Sequence, residues 1–318
     1  MMMKNPFFIV GCGRSGTTIL RRMLSSHQNI SIPPESYYIS DVLRNFGVDK
    51  CLEQDDVEKI LDLVISNYYY IQFGVSDEKF RAIARSLSNP SVSDVIKIPF
   101  ELYAQERGSC RWGDKTPNYL YNIPQLSILY PNSKFIHMVR DGRDVALSFM
   151  NTEFGPSGLW ESAMFWRSRV NITRFFCDRI GGDNCLEVKY ENLILTPERE
   201  LRRICDFLEE EYSDDMLNCN RKDFEILHYS HQLVSEKPDA RRIGVWKIKM
   251  EETDLRNYEA LNNDILAYYG YDFTERGKII RIWARIRYFW YLLTGKAYIR
   301  RFLKAMYIMN KYDPRCTE

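Results

Sequence analysis

Short apolar runs alternate with longer stretches of helical period along most of this chain. Phe7–Val10, Phe135–Val139 and Leu186–Val188 have strand length, and each runs into glycine or charged residues and then a helical pattern. Thr196-Pro197-Glu198, followed by Leu201, Ile204, Cys205 and Leu208, predicts a helix with Thr at the N-cap, Pro at N1 and one apolar stripe. Strands separated by helices cannot pair as hairpins, so the pattern predicts α/β architecture with a parallel, doubly wound sheet. A ligand site then belongs beyond the carboxyl ends of the strands. Helical insertions are expected at 54–70 and 77–107. With no internal repeat, low-complexity tract or long linker, residues 1–272 read as one domain and 273–318 as a helical extension.

The first strand runs into Gly11-Cys12-Gly13-Arg14-Ser15-Gly16-Thr17-Thr18 and then a helix, the setting in which backbone N–H groups and a helix N-terminus hold phosphate. Against the P-loop pattern G-x-x-x-x-G-K-[ST], both glycines and Thr18 are present but Thr17 stands in the lysine position. The fold expected is therefore a P-loop-like parallel sheet flanked by helices, without the usual metal–triphosphate arrangement. The loop's cation is Arg14. A plain strand-to-helix turn of small residues is the bland alternative.

Three segments together resemble sulfotransferases that use 3′-phosphoadenosine 5′-phosphosulfate (PAPS). Gly13-Arg14-Ser15-Gly16-Thr17-Thr18 is similar to the family's 5′-phosphosulfate loop, whose cytosolic members carry lysine where Arg14 stands. Phe135–Val139 followed by Arg140-Asp141-Gly142-Arg143-Asp144-Val145-Ala146-Leu147-Ser148 resembles the segment whose arginine and serine bind the 3′-phosphate, which implies Arg140 and Ser148. Arg143 and Asp144 between them read as a solvated charge pair. Trp112-Gly113-Asp114-Lys115-Thr116-Pro117-Asn118-Tyr119 resembles the segment of Golgi-type carbohydrate and tyrosyl-protein members whose lysine contacts the sulfuryl group, which implies Lys115. With Tyr190-Glu191-Asn192-Leu193, the likeness covers roughly residues 6 to 272.

The resemblance implies PAPS as co-substrate, no metal, and a hydroxyl acceptor on a carbohydrate, lipid or other small molecule. Pro117 occupies the position of the catalytic histidine of small-molecule members, so that mechanism does not transfer. In the Golgi-type enzymes a glutamate after the loop helix is the base, which implies Glu35 in Ile32-Pro33-Pro34-Glu35-Ser36. A surface or helix-capping carboxylate is the alternative. Arg241-Arg242-Ile243-Gly244 only partly matches a late basic motif, leaving Arg242, with Arg241, as a 3′-phosphate ligand or a solvated basic turn. A Mg-dependent kinase and a non-catalytic nucleotide-binding membrane adaptor are the competing functions.

His27 reads as a helix-end residue and the second choice of base, His137 as buried packing, and His228 with His231 as chance spacing. Cys12 reads as a small residue that fits its loop, although a helix N-terminus could lower its pKa. Eight cysteines without a C-x-x-C pair predict reduced thiols, and with the early start of the fold they suggest a cytoplasmic body. Acceptor specificity is expected from 36–107 and 150–180, where Tyr68, Tyr69, Tyr70, Phe73, Trp160 and Trp166 offer surfaces for sugars or apolar rings.

Overall charge changes the picture only at the end of the chain. The 318 residues carry a formal net +1, but from residue 271 onward 11 Lys/Arg face 4 Asp/Glu, a net +7 that leaves −6 for the rest. Neutrality of the whole argues against nucleic acid as partner. In the tail, Ile279, Ile282, Ile286, Phe289 and Leu293 share a helical face, with Arg281, Arg285 and Tyr288 turned toward the other side. That run is too short to span a bilayer. It predicts either peripheral contact with an inner membrane face or packing on the domain or on a partner subunit.

Overall fold

The computed structural model of the chain describes residues 3–218, 239–274, 278–294 and 296–312; His228 and His231 lie outside them. Strand β1 (Phe7–Gly11) leads into α1 (Thr17–Ser25) and the two-residue β2 (Ile30–Ser31). Six helices fill the connection to β3 (Arg111–Lys115): α2 (Tyr38–Phe46), α3 (Gln54–Ile65), α4 (Tyr68–Ile71), α5 (Asp77–Ser86), α6 (Val92–Ile96) and α7 (Ile98–Glu106). Then come α8 (Ile123–Leu129), β4 (Lys134–Val139), α9 (Gly142–Phe149), α10 (Leu159–Ile180) and β5 (Cys185–Lys189). The chain continues through α11 (Tyr190–Leu195), α12 (Pro197–Leu208), α13 (Asp215–Asn218), α14 (Trp246–Lys249), α15 (Glu252–Tyr268), α16 (Lys278–Thr294) and α17 (Lys296–Tyr312).

All strand pairs are parallel, in the order β2-β3-β1-β4-β5. β1 is the central strand and every one of its residues is buried, as its unbroken apolar run requires when helices cover both faces. Its side chains alternate between two cores. Phe8 and Val10 pack with α2–α8, while Phe7 and Ile9 pack with α1, α11 and α12. A third cluster joins α9, α10 and α15 beyond the carboxyl end of β4. The register sets Gly11 opposite Met138 and Ile9 opposite Lys115, so the ends of β1, β3 and β4 converge on one edge. That edge is where doubly wound sheets bind ligands.

Several local readings change. β3 was not expected, because Arg-Trp-Gly-Asp-Lys has no strand-like pattern, yet Arg111, Asp114 and Lys115 are all buried. Thr196 precedes α12 as expected, but its side chain makes no cap there and instead donates to the Asn192 carbonyl at 3.0 Å. The expectation of reduced thiols fails at one pair: Cys177 and Cys185 form a disulfide. The turn at Gly181–Gly182 brings the end of α10 back onto the start of β5, and sequence spacing alone could not show that approach. Both tail helices dock on the body, Ala284, Tyr288 and Tyr291 of α16 against α10 and α15, and Phe302, Ala305 and Met306 of α17 against the α2–α8 core.

Candidate active site

Two residues of the loop after β1 take left-handed conformations, Arg14 at φ 68° and Gly16 at φ 90°. Only glycine adopts this region freely, and an arginine held there marks a backbone constrained by its surroundings. A methyl group on Gly16 would collide with the Tyr190 ring. The loop therefore turns tightly into α1, whose first N–H groups at Thr17 and Thr18 have no carbonyl a turn earlier to bond and favour an anion. Ser15 is fully buried within this turn and its hydroxyl has no partner among the described residues. An isolated buried hydroxyl is costly, and a bound phosphate or sulfate oxygen would satisfy it.

Cations converge on the loop from three segments. Arg14 Nε donates to Ser148 Oγ at 3.0 Å, so α9 fixes the loop's own guanidinium. Arg140, just beyond β4, donates to the carbonyls of Arg14 at 3.3 Å and Arg242 at 2.7 Å, and its guanidinium stacks on the Tyr190 ring at 4.5 Å. The Trp166 indole donates to the Arg140 carbonyl at 3.2 Å and orients it from behind. Burial, then the charges of Arg140 and Arg242, pull the Arg14 pKa below its ordinary value. An anion among these cations would relieve their mutual repulsion. Of the late basic pair, Arg242 joins this group, whereas Arg241 turns into solvent and pairs with Asp239 at 3.0 Å.

Arg143 and Asp144 are not a solvated pair. Arg143 is fully buried between Asp141 at 2.8 Å and Glu259 at 2.8 Å, and its guanidinium lies 3.5 Å from the Trp246 ring centre. Asp144 accepts from the N–H groups of Gly244 at 2.8 Å and Trp246 at 3.0 Å. This second pairing clamps the Arg242 segment over α9, a structural task that adjacent charges in a sequence do not reveal.

Lys115, at the end of β3 and 1% exposed, makes an ion pair with Glu35 and also reaches Thr18 Oγ1 at 3.4 Å. Burial lowers the Lys115 pKa, while the Glu35 charge works against that fall. The lysine thus stands between the phosphate loop and the Glu35 carboxylate. Ser36 holds this arrangement from below: its N–H donates to Thr116 Oγ1 at 3.1 Å, and its hydroxyl lies 2.6 Å from Asp114 Oδ2 and 2.7 Å from the Tyr119 hydroxyl. Burial raises the Asp114 carboxyl to about 7, opposed by hydrogen bonds from Ser36 and Thr116. None of Ser36, Asp114 or Tyr119 was singled out from the sequence, although all three lie inside the segments picked out for Glu35 and Lys115.

Beside Glu35, Tyr37 sits at φ 44°, an unusual backbone for an aromatic residue, and its ring packs 4.5 Å from that of Tyr69. Burial and the nearby Glu35 charge raise the Tyr37 pKa. Of the other aromatic candidates for the acceptor side, Tyr70, Phe73 and Trp166 are core residues, while Tyr68 is exposed. His27 is no rival base, since Nε2 lies 2.7 Å from the Glu211 carbonyl and Nδ1 accepts from the Asn29 N–H at 3.1 Å. His137 is buried as expected, with Glu187 at 3.0 Å. Cys12 is no thiolate, because complete burial pushes its thiol up to about 12.

Residues 6–214 match the model of the sulfotransferase family. The chain belongs to that family. Among curated sulfotransferases it is 28% identical over 220 residues to protein-tyrosine sulfotransferase A of Caenorhabditis elegans, covering 67% of this chain and 52% of that one. It is 30% identical over 217 residues to protein-tyrosine sulfotransferase 2 of Gallus gallus, covering 66% and 53%. The chain spans about half the length of these two relatives. The sulfotransferase domain of the Synechococcus PCC 7002 olefin synthase superposes with a TM-score of 0.61 at 23% identity, over 86% of this chain and 98% of that one. That likeness establishes the α/β fold, with its five-stranded parallel sheet, as the sulfotransferase fold.

Proposed function

We propose that this sulfotransferase moves the sulfuryl group of PAPS to a hydroxyl, and that the acceptor is the phenol of a tyrosine in a peptide or protein. One observation carries the reading: the Lys115–Glu35 ion pair, with Thr18 of the phosphate loop on one side and the Tyr37–Tyr69 rings on the other. The relatives' names, protein-tyrosine sulfotransferase, support the acceptor class. The residues present fit the nucleotide: Gly13, Arg14, Ser15, Gly16, Thr17 and Thr18 would hold the 5′-phosphosulfate, and Arg140, Ser148 and Arg242 the 3′-phosphate. The unpartnered Ser15 hydroxyl and the mutually repelling arginines are the features of this chain that ask for such an anion.

PAPS supplies an activated sulfuryl group whose departure leaves negative charge on a phosphate oxygen. Arg14 and Lys115 are positioned to stabilise that charge without rearrangement. Glu35 takes the proton of the acceptor hydroxyl, and its ion pair with Lys115 keeps the carboxylate aimed. Lys115 thereby couples the two halves of the reaction, since the same ammonium faces both the base and the loop. Tyr37 and Tyr69, their rings tilted 40° to one another, offer an aromatic wall against which an aromatic acceptor packs, with ring contacts worth about 0.5–1.5 kcal/mol.

The test is transfer from radiolabelled PAPS to tyrosine peptides, oligosaccharides and small phenols, read by mass spectrometry, beside calorimetry with the desulfated nucleotide. Label on peptidyl tyrosine and nucleotide binding in EDTA are expected. Labelling confined to oligosaccharides would overturn the acceptor, and ATP binding that requires Mg²⁺ with no affinity for the 3′-phosphorylated nucleotide would overturn the reaction.

A further inference from the structure

Helix α16 presents its apolar side outward. Ala284 is buried against the body, Tyr288 reaches Ser168 Oγ at 3.0 Å, and Arg287 covers the Trp160 ring at 4.6 Å. The opposite side carries Ile282, Trp283, Ile286, Phe289, Trp290 and Leu293, a continuous stripe at helical spacing. Every one of the six is exposed, Trp283 at 64% and Trp290 at 61%. A helix docked on a globular body normally turns such a stripe inward, and large contiguous apolar surface left in water marks a contact site. On a helical projection Arg285 borders the stripe on one edge and Arg287 on the other. Helices α16 and α17 together carry nine Lys/Arg and no Asp or Glu. On α17, the outward-facing Arg300, Leu303, Lys304 and Tyr307 repeat the mixture of cations with apolar groups.

We propose that this surface is a peripheral docking face for an anionic lipid bilayer, with Trp283 and Trp290 seated at the headgroup boundary and the flanking cations on lipid phosphates and carboxylates. Tryptophan between arginines suits that boundary, where its ring is buried and its N–H stays wet, while Phe289 sits with the aliphatic groups of the apolar face. Charge selects this occupant over a second copy of the chain. A two-fold contact would set the cations of one helix against the same cations of the other, whereas an anionic bilayer offers a charge of opposite sign, worth about 1 kcal/mol per cation near the surface. No described helix is long and apolar enough to cross the membrane, so the contact lies along the surface. The inference is independent of the acceptor assigned above.

Flotation of the full-length chain with phosphatidylserine/phosphatidylcholine vesicles and with pure phosphatidylcholine tests it, alongside the paired substitution Trp283→Ser with Trp290→Ser. Binding to the anionic vesicles that weakens with salt, and drops at least tenfold in the paired variant, is expected. The melting temperature of that variant should stay unchanged, because both indoles are outside the core. Arg281→Glu with Arg285→Glu should weaken binding to anionic vesicles only. No flotation with anionic vesicles at low salt, equal flotation of the paired tryptophan variant, or a stable dimer in light scattering that the same substitutions dissociate, would each overturn the proposal.

Discussion

Replacing Glu35 by glutamine removes a charge from the acceptor side and from Lys115 at the same time. Turnover should fall by about 10² to 10⁴, the usual cost of a lost general base, with nucleotide affinity retained. The alkaline limb of the rate profile gives a second readout. Burial already depresses Lys115 and Glu35 opposes that depression, so in Glu35→Gln the limb should move to lower pH. Arg140→Ala and Ser148→Ala should act on the other step and weaken binding of the desulfated nucleotide by about 1–3 kcal/mol in calorimetry. Asp114 links this neighbourhood to stability. Its carboxyl is raised to about 7 from the ordinary 3.8, so the folded state holds a proton that the unfolded state has already released. Stability from this group is full below about pH 4 and is lost as the pH rises through 7. A thermal-melting series over that window should fall less steeply in Asp114→Asn than in the natural chain.

Glycines separate the strained elements from the merely curved ones. Gly16 has φ 90° with the Tyr190 ring against it, whereas Gly74 has φ 68° with nothing nearby. Gly74→Ala should cost roughly the 1–2 kcal/mol of left-handed backbone alone. Gly16→Ala should cost more in melting and should abolish nucleotide binding, because it displaces the ring on which Arg140 stacks. Legibility in the sequence followed the same physics. β1 and β4 were visible as apolar runs, and β5 because Leu186 and Val188 bracket Glu187 at strand spacing. β3 was not, since its buried Arg111, Asp114 and Lys115 owe their burial to partners far along the chain: Glu210 lies 2.9 Å from Arg111, and Ser36 and Glu35 hold the other two. The phosphate loop and Lys115 could be picked out from short contiguous patterns. The clamp of Asp144 on Gly244 and Trp246 spans about a hundred residues, and only the folded chain brings it together.

The whole molecule carries two features that its composition hides. The cytoplasmic reading leaned on reduced thiols, and the Cys177–Cys185 bridge removes that support, because disulfides persist in oxidising surroundings. Cys177→Ser should lower stability by about 2–3 kcal/mol for so short a loop, in denaturant melts of the oxidised protein, and dithiothreitol should bring the natural chain down to the same level. The balance of +7 in the tail against −6 in the remainder likewise disappears in the sum of +1. A final consequence comes from the strand order β2-β3-β1-β4-β5. The earliest of these five strands becomes the central one, and its neighbours begin only at Arg111 and Lys134. At about 5–20 residues per second, β1 leaves the ribosome roughly 5–20 s before β3 follows it. During that interval Phe7-Phe8-Ile9-Val10 is an open apolar edge, so nascent chains halted before residue 111 should be captured by chaperones, and those extended past residue 139 should escape.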